Sequence, residues 1–332
     1  MNMSKIDVSN VIPMFPDEHP QPEGVFLNDS ATETLQLAAP LAKKQLTVVL
    51  EGFAHADRFD VHWTAEFPEN LAYNGLVHFI NGFGATEASS GAYREASAQA
   101  GFATVTHEPV RKDNGRLVTR VRDPQRVHAQ SMVAVAADLR QRSDIRKKAP
   151  NGSKIERDRK ILKPHSMGGL AAAQYAELEP DVVEMIYNYA TCGFGPPTIA
   201  QVLRNLPSGA IGTLQHEIIP AIWNGNIRLS LRSAKKEAEY FLSDVSRPIC
   251  EGRSCVNESV LERTERLRAR GVLIAWLGFE YDFLVPPTPD IAKYVDLYRV
   301  MRGAGHMAPQ RKPQEVINQQ FLPAYQGLLT AA

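Results

Sequence analysis

The chemistry that this sequence can support is clearest around Ser166, in the segment Pro-His-Ser-Met-Gly-Gly at 164–169. A serine hydroxyl becomes a useful nucleophile when a tight turn exposes it and a nearby histidine accepts its proton. A strand-to-helix turn of this kind needs small residues beside the serine, because the serine backbone is strained. Gly168 meets this need, whereas Pro164 stands where glycine is usual. The six residues alone are equally compatible with a serine that caps the helix it begins.

A general base for Ser166 should follow a strand, where the sheet positions it and a loop lets it reach the nucleophile. Among the nine histidines, His306 fits best, because it lies in a Gly-Ala-Gly-His segment directly after the strand-like stretch 298–301. His165 is adjacent to the serine, and we expect its side chain to point away from it. His216 is the remaining alternative. We therefore predict that His306 is the base.

The third group of such a site is a carboxylate that holds the imidazole in the correct tautomer. Asp282 lies in the turn after an apolar strand predicted at 272–277, and the Leu-Val-Pro-Pro sequence that follows would fix this turn. Glu280 is the competing acid. An acid at a strand end is also a common turn cap, so Asp282 alone has a plain structural interpretation. We predict Asp282 as the third member.

The negative oxygen of a tetrahedral intermediate requires a pair of main-chain amides. One is the amide of Met167, directly after the serine. The second is expected in the glycine-rich turn Asn-Gly-Phe-Gly at 81–84, with Phe83 as the natural donor. Each of these signals is weak alone. Their order along the chain (oxyanion turn, serine, acid, histidine) is the order that one architecture requires, and this order favours a catalytic serine over a helix cap.

Strand and helix patterns alternate around these residues, as expected for an α/β protein. Crossover connections of this length favour a mostly parallel sheet flanked by helices. The predicted strands are 46–50, 59–64, 76–80, 102–106, 161–162, 182–187, 272–277 and 298–301, and the predicted helices are 87–100, 127–139 and 169–178.

Two segments interrupt this alternation. Residues 1–44 are polar and irregular, which predicts an N-terminal extension. Residues 194–265 have no strand period, but they contain short apolar stretches at helical spacing that prolines separate. This pattern predicts a helical cap inserted between the two parts of an α/β core, 45–193 and 266–332. We expect the cap to cover the site as a lid, because it lies in sequence between the predicted nucleophile and the predicted acid.

Composition argues against several other classes of protein. Lysine plus arginine (37) equals aspartate plus glutamate (37), and a chain without net charge is a poor candidate for binding nucleic acid or an anionic membrane. The first 22 residues lack a signal-peptide pattern, and no stretch is long and apolar enough to span a bilayer, so we expect a cytoplasmic protein. Three cysteines cannot form a disulfide framework, and no histidine or cysteine spacing suggests a metal site.

Four segments together resemble the α/β-hydrolase family, and the resemblance extends from about residue 45 to the carboxyl terminus. It implies a sheet of about eight strands with a helical cap. It also implies Ser166 as nucleophile, His306 as base, Asp282 as acid and the amides of Phe83 and Met167 as the oxyanion hole. The segments are VHFINGFGA at 77–85, PHSMGGL at 164–170, GFEYDFLVPP at 278–287 and GAGHMAP at 303–309.

The sequence departs from the usual family pattern at Asn81, where many relatives have histidine, and at Pro164, where glycine is usual. The charged approach 159–163 also makes the strand before the serine less apolar than usual.

A serine at the nucleophile position disfavours the dehalogenases and epoxide hydrolases of this fold, which use aspartate there. The resemblance therefore implies hydrolysis of a carboxylic ester through an acyl-enzyme, without a metal or organic cofactor. Hydrolysis of a carbon–carbon or amide bond, acyl transfer, and a non-catalytic binding role are the alternatives. The apolar stretches of the cap suggest a small-molecule substrate with an apolar portion. The sequence predicts no oligomeric state.

Overall fold

The structure is a computed structural model that describes the α/β core of the chain. The predicted N-terminal extension and almost all of the predicted cap lie outside the described residues, so both domain assignments stay predictions. The described residues are 47–56, 59–69, 74–82, 87–108, 110, 112–113, 116–117, 123–142, 160–194, 259–282 and 284–331.

Eight strands form one open sheet, which confirms the predicted α/β fold class. The strands are β1 (Thr47–Ala56), β2 (Phe59–Pro68), β3 (Leu76–Ile80), β4 (Ala103–His107), β5 (Lys160–Pro164), β6 (Val183–Tyr189), β7 (Leu273–Phe279) and β8 (Leu297–Met301). The spatial order is β1-β2-β4-β3-β5-β6-β7-β8. Strand β2 is antiparallel to both of its neighbours, and all other adjacent pairs in this sheet are parallel. A separate short hairpin pairs Lys112–Asp113 with Arg116–Leu117.

Helices cover both faces of the sheet. The helices are α1 (Gly91–Gln99), α2 (Pro124–Gln141), α3 (Gly168–Leu178), α4 (Leu261–Ala269), α5 (Ala308–Arg311), α6 (Pro313–Glu315) and α7 (Leu322–Ala331), with 3-10 turns at Glu87–Ser90 and Pro289–Lys293 and a π-helical turn at Val316–Phe321. Helix α1 packs with the C-terminal helices on one face, and α2, α3 and α4 pack on the other. Among the described residues, no helix has both the length and the apolar character needed to cross a bilayer.

The residues of α2 show why this helix forms where the sequence predicts it. Its apolar positions recur at helical spacing, and Val127, Met132 and Leu139 are all buried. Asp123 caps its first turn, since the carboxylate accepts a hydrogen bond of 2.9 Å from the main-chain amide of Arg126. Sequence periodicity and a side-chain cap therefore agree on this helix.

Strand β5 is buried on both faces although it contains two lysines. The Nζ of Lys163 lies 3.1 Å from the centre of the Phe321 ring and within 5.6 Å of the centres of two further aromatic rings. Burial lowers the pKa of Lys163 well below its usual value. Lys160 donates to the Tyr175 hydroxyl at 3.3 Å, and burial lowers its pKa to about 8. Aromatic side chains on both faces thus allow a charged sequence to form a central strand.

Candidate active site

Ser166 lies at the turn between β5 and α3, and its main chain has a positive φ of 54°. Few non-glycine residues adopt this conformation, and the surrounding structure must hold it in place. The amide of Ser166 donates to the carbonyl of Tyr189 at 3.0 Å, and its own carbonyl accepts from the amide of Cys192 at 3.1 Å. The turn is therefore fixed against the end of β6.

The helix-cap interpretation of this serine is wrong. The residue at the N-cap of α3 is Met167, and no side chain makes a capping hydrogen bond there. The strained turn instead has the features of a nucleophile elbow, in which a serine is held at the top of a strand.

Glycines allow the elbow to pack closely against its neighbours. A Cβ atom at Gly168 would lie 2.6 Å from the carbonyl oxygen of Ile80, and one at Gly82 would lie 2.7 Å from the Cβ of Ser166. Both distances are too short for a side chain. Pro164 does not disturb this arrangement, because it ends β5 in register with Ile80 and the amide of His165 donates to the Ile80 carbonyl at 2.9 Å.

Asp282 and His306 meet at the same edge of the sheet. The Nδ1 of His306 lies 2.7 Å from the Oδ2 of Asp282, and both side chains are buried. The Oδ1 of Asp282 accepts the amides of Leu284 and Val285 at 2.9 and 2.8 Å. A carboxylate that accepts on both oxygens fixes a proton on Nδ1 and leaves the Nε2 lone pair of His306 as a proton acceptor.

Glu280, the competing acid, lies elsewhere in this turn. Its side chain is exposed, and its Oε2 accepts the main-chain amide of Gly303 at 2.8 Å. Glu280 therefore ties the turn after β7 to the turn after β8, whereas Asp282 is the carboxylate that faces the imidazole.

His306 and the elbow are joined through His165, whose ring centre lies 4.7 Å from that of His306. The Nε2 of His165 lies 2.7 Å from the main-chain oxygen of His306. The Oγ of Ser166 makes no hydrogen bond with another described residue. In enzymes without substrate this contact is often long and shortens only when substrate binds.

Of the two predicted oxyanion donors, the structure describes Met167 but not Phe83. Within the described part of the chain, the main-chain amide of Met167 donates to no acceptor. An amide that is to bind a substrate oxygen must be available in this way. Phe83 lies outside the described residues, so its role stays a prediction. The preceding Asn81 accepts a hydrogen bond from the Ser90 hydroxyl, which fastens this turn to the start of α1.

Two partners in this site are absent from the sequence prediction. His165 was expected only to point away from the serine, and Gln310 carried no signal. The Nε2 of Gln310 lies 3.1 Å from the Nδ1 of His165, although the two residues are 145 positions apart. A pair so distant in sequence leaves no local pattern.

A second group of polar side chains lies on the face of the sheet that α2 covers, and we call it the β3–β4 cluster (His78, His107 and Ser131). The Nε2 of His78 lies 2.9 Å from the Nδ1 of His107, whose Nε2 lies 3.0 Å from the Oγ of Ser131. The Ser131 hydroxyl also donates to the main-chain oxygen of His128 at 2.6 Å. All of these side chains are buried, and burial lowers the pKa of His107 to about 3.

Comparison with known proteins identifies the fold. No protein-family model matches the sequence, and a search of curated proteins finds no match. Among solved structures, a bacterial membrane phospholipase A described as a virulence factor is 15% identical over 85% of this chain and 86% of its own, with a TM-score of 0.56. A thermophilic esterase from Thermogutta terrifontis is 15% identical over 86% of this chain and 98% of its own, with a TM-score of 0.54.

A laboratory-evolved potato epoxide hydrolase is also 15% identical, over 85% of this chain and all (100%) of its own, with a TM-score of 0.51. These likenesses and the strand order show that the chain has the α/β-hydrolase fold. The resemblance that the sequence segments carry is confirmed at this level. The three solved structures have different activities, so the reaction must be argued from the site.

Proposed function

We propose that this protein is a serine hydrolase that cleaves a carboxylic ester through an acyl-enzyme intermediate. The observation that carries the proposal is the strained main chain of Ser166 at the elbow, which is joined through the adjacent His165 to the buried Asp282–His306 pair. Catalysis needs a nucleophile, a base and an orienting carboxylate held in one place. The phospholipase and esterase among the structural neighbours support a hydrolase, although their likeness extends only to the fold.

In the proposed reaction, the Oγ of Ser166 attacks the ester carbonyl while the Nε2 of His306 takes its proton. Asp282 stabilises the imidazolium, since its Oδ2 faces Nδ1 at 2.7 Å. The amide of Met167, with that of Phe83 as predicted partner, donates to the oxyanion. The imidazolium then protonates the departing alcohol. Water activated by His306 finally releases the acid and restores Ser166.

The substrate that we propose is a small molecule with an apolar portion, which is the expectation from the apolar stretches of the predicted cap. The reaction needs no metal and no organic cofactor. A cytoplasmic location and the absence of nucleic-acid and membrane partners stay predictions from composition.

A fluorophosphonate probe tests the proposal, because it phosphonylates only a serine that an active site has made nucleophilic. We expect the folded wild-type protein to be labelled and Ser166→Ala not to be labelled. Ser131→Ala is the matched control, since Ser131 also lies beside a histidine, and it should label like the wild type. A folded wild-type protein that resists labelling would refute the proposal, and labelling of Ser166→Ala would refute the choice of serine.

p-Nitrophenyl esters of increasing chain length then test the bond and the substrate class. We expect hydrolysis with a pre-steady-state burst, and rates that do not decline beyond the acetate ester. Labelling without ester hydrolysis would favour cleavage of an amide or carbon–carbon bond, or acyl transfer.

A further inference from the structure

We infer that His165 is a positioning residue that holds the His306 segment (residues 305–310) against the nucleophile elbow. The inference deepens the proposed function and rests on it, because it assumes that His306 is the base. The geometry that carries it is a pair of hydrogen bonds, in which the Nε2 of His165 donates to residue 306 and its Nδ1 accepts from residue 310.

The partners of His165 determine its tautomer. The main-chain oxygen of His306 can only accept, so the Nε2 of His165, 2.7 Å away, must carry a proton. The ring is fully buried, and this burial, together with the neighbouring His306, keeps the pKa of His165 well below its usual value. A neutral ring protonated on Nε2 has its lone pair on Nδ1, which accepts from the side-chain Nε2 of Gln310 at 3.1 Å.

His165 is itself firmly held. Its amide donates to the Ile80 carbonyl of β3 at 2.9 Å, and it forms a parallel bridge with Tyr189 of β6. The next residue is Ser166, whose main chain is fixed by the same strand end. Two adjacent residues of one rigid turn therefore define the positions of both the nucleophile and the base segment.

The neutral state of His165 matters for the reaction as well. Its ring centre lies 4.7 Å from the ring centre of His306, which must carry a positive charge when it holds the serine proton. A second positive charge at that distance would oppose this step. Two residues of the segment after β8, His306 and Gln310, contact the His165 ring. Lys163 lies two residues before His165 in the chain, and its Nζ packs against the Phe321 ring.

Two conservative substitutions of His165 test the roles of its two ring nitrogens separately. Glutamine places an amide N–H near the position of the histidine Nε2, whereas the shorter asparagine reaches only the position of Nδ1. We expect His165→Gln to keep kcat within about fivefold of the wild type for a p-nitrophenyl ester. We expect His165→Asn to lower kcat about 30- to 100-fold, with KM within about twofold, because a small misplacement of a base has effects of this size. Equal kcat values for the two variants would refute the inference.

Hydrogen exchange measured by mass spectrometry gives a readout that does not depend on activity. The main-chain amides of Ala308 and Gln310 donate hydrogen bonds to the carbonyls of Gly305 and Met307, within the His306 segment. We expect His165→Asn to increase their exchange and His165→Gln to leave it unchanged. Unchanged exchange in both variants would show that His165 does not hold the segment.

His107→Gln is the matched control, since His107 is another buried neutral histidine with two side-chain hydrogen bonds, on the face of the sheet that α2 covers. It should reduce thermal stability but leave kcat and the exchange of the His306 segment unchanged. A wild-type protein without labelling or hydrolysis would refute the proposed function, and the exchange data would still decide whether His165 holds the segment. If the wild type is labelled and active and the His165→Asn variant has the same kcat, the inference about His165 is refuted and the proposed function stands.

Discussion

The candidate active site and the β3–β4 cluster lie on the same sheet and use the same kinds of side chain. Each has a serine close to histidines, and in the β3–β4 cluster the serine–histidine distance of 3.0 Å is the one that a catalytic pair would have. The two differ in the state of the serine. Ser131 is in the middle of α2 and its proton is committed to a main-chain oxygen at 2.6 Å. Ser166 is at a strained turn, and its Oγ makes no hydrogen bond with a described residue.

The clusters also differ in what orients the histidine. Asp282 faces His306 with a carboxylate, which stabilises a positive imidazole. His107 faces a second neutral histidine, His78, and its burial opposes a positive charge. The comparison teaches that serine–histidine distance alone does not define a nucleophile. An uncommitted hydroxyl proton and a base that can become charged are both required.

Among the residues that orient the two histidines, the largest effect on activity should come from Asp282→Asn. The amides of Leu284 and Val285 would keep the remaining oxygen, so the new NH₂ group would face His306 and favour the wrong tautomer of its ring. We expect kcat for a p-nitrophenyl ester to fall by about 10⁴, as expected when the base loses its orienting carboxylate.

Glu280→Gln is the control for this substitution, because Glu280 is the neighbouring exposed carboxylate. It should change kcat by less than about threefold, since only its bond to the Gly303 amide is affected. A loss with Glu280→Gln as large as that with Asp282→Asn would show that the acid has been assigned to the wrong residue.

The second largest effect should be the loss of folding stability that acid causes through the β3–β4 cluster. Burial lowers the pKa of His107 from 6.5 to about 3, so below pH 6.5 the unfolded chain binds a proton that the folded chain does not. This contribution to stability is complete above pH 6.5 and declines as the pH falls toward 3. The free energy of unfolding should therefore drop by about 2–3 kcal/mol between pH 6.5 and 4.5 on account of this residue.

Urea unfolding of the wild type and of His107→Gln at several pH values measures this contribution. The variant lacks the titrating ring, so its unfolding free energy should depend less steeply on pH over this range. The titratable groups that do not interact with His107 are common to both proteins, so their contributions cancel in the difference. Parallel pH profiles would contradict the assignment of a buried neutral imidazole at position 107.

The smallest effect should come from Ser131→Ala. This change leaves the Nε2–H of His107 without its acceptor and should lower the free energy of unfolding by about 1–3 kcal/mol. Its rate of ester hydrolysis should stay within about twofold of the wild type. Ser166→Ala should show the opposite pattern, with lost activity and retained stability. A large loss of activity in Ser131→Ala would break the distinction between the two clusters.

Most of the sheet could be predicted from the sequence, because strand and helix periods depend on neighbouring residues. Strand β1 extends beyond its predicted part to Ala56. Its exposed side chains there are Glu51, Phe53 and His55, so the apolar Phe53 breaks the alternation of apolar and polar residues. Strand β5 was predicted only at 161–162. Its lysines are buried beside aromatic rings that belong to distant parts of the chain, such as Phe321.

The sequence by itself determined the candidate triad of Ser166, Asp282 and His306 and the order in which these residues follow their strands. Only the tertiary structure decided that Ser166 has a positive φ and does not cap α3, and that Asp282 rather than Glu280 faces the imidazole. The physical reason is the separation along the chain between the residues that make contact. Local spacing reports the residues within one element, whereas these contacts, like that between His165 and Gln310, exist only after the sheet brings separate loops to one edge.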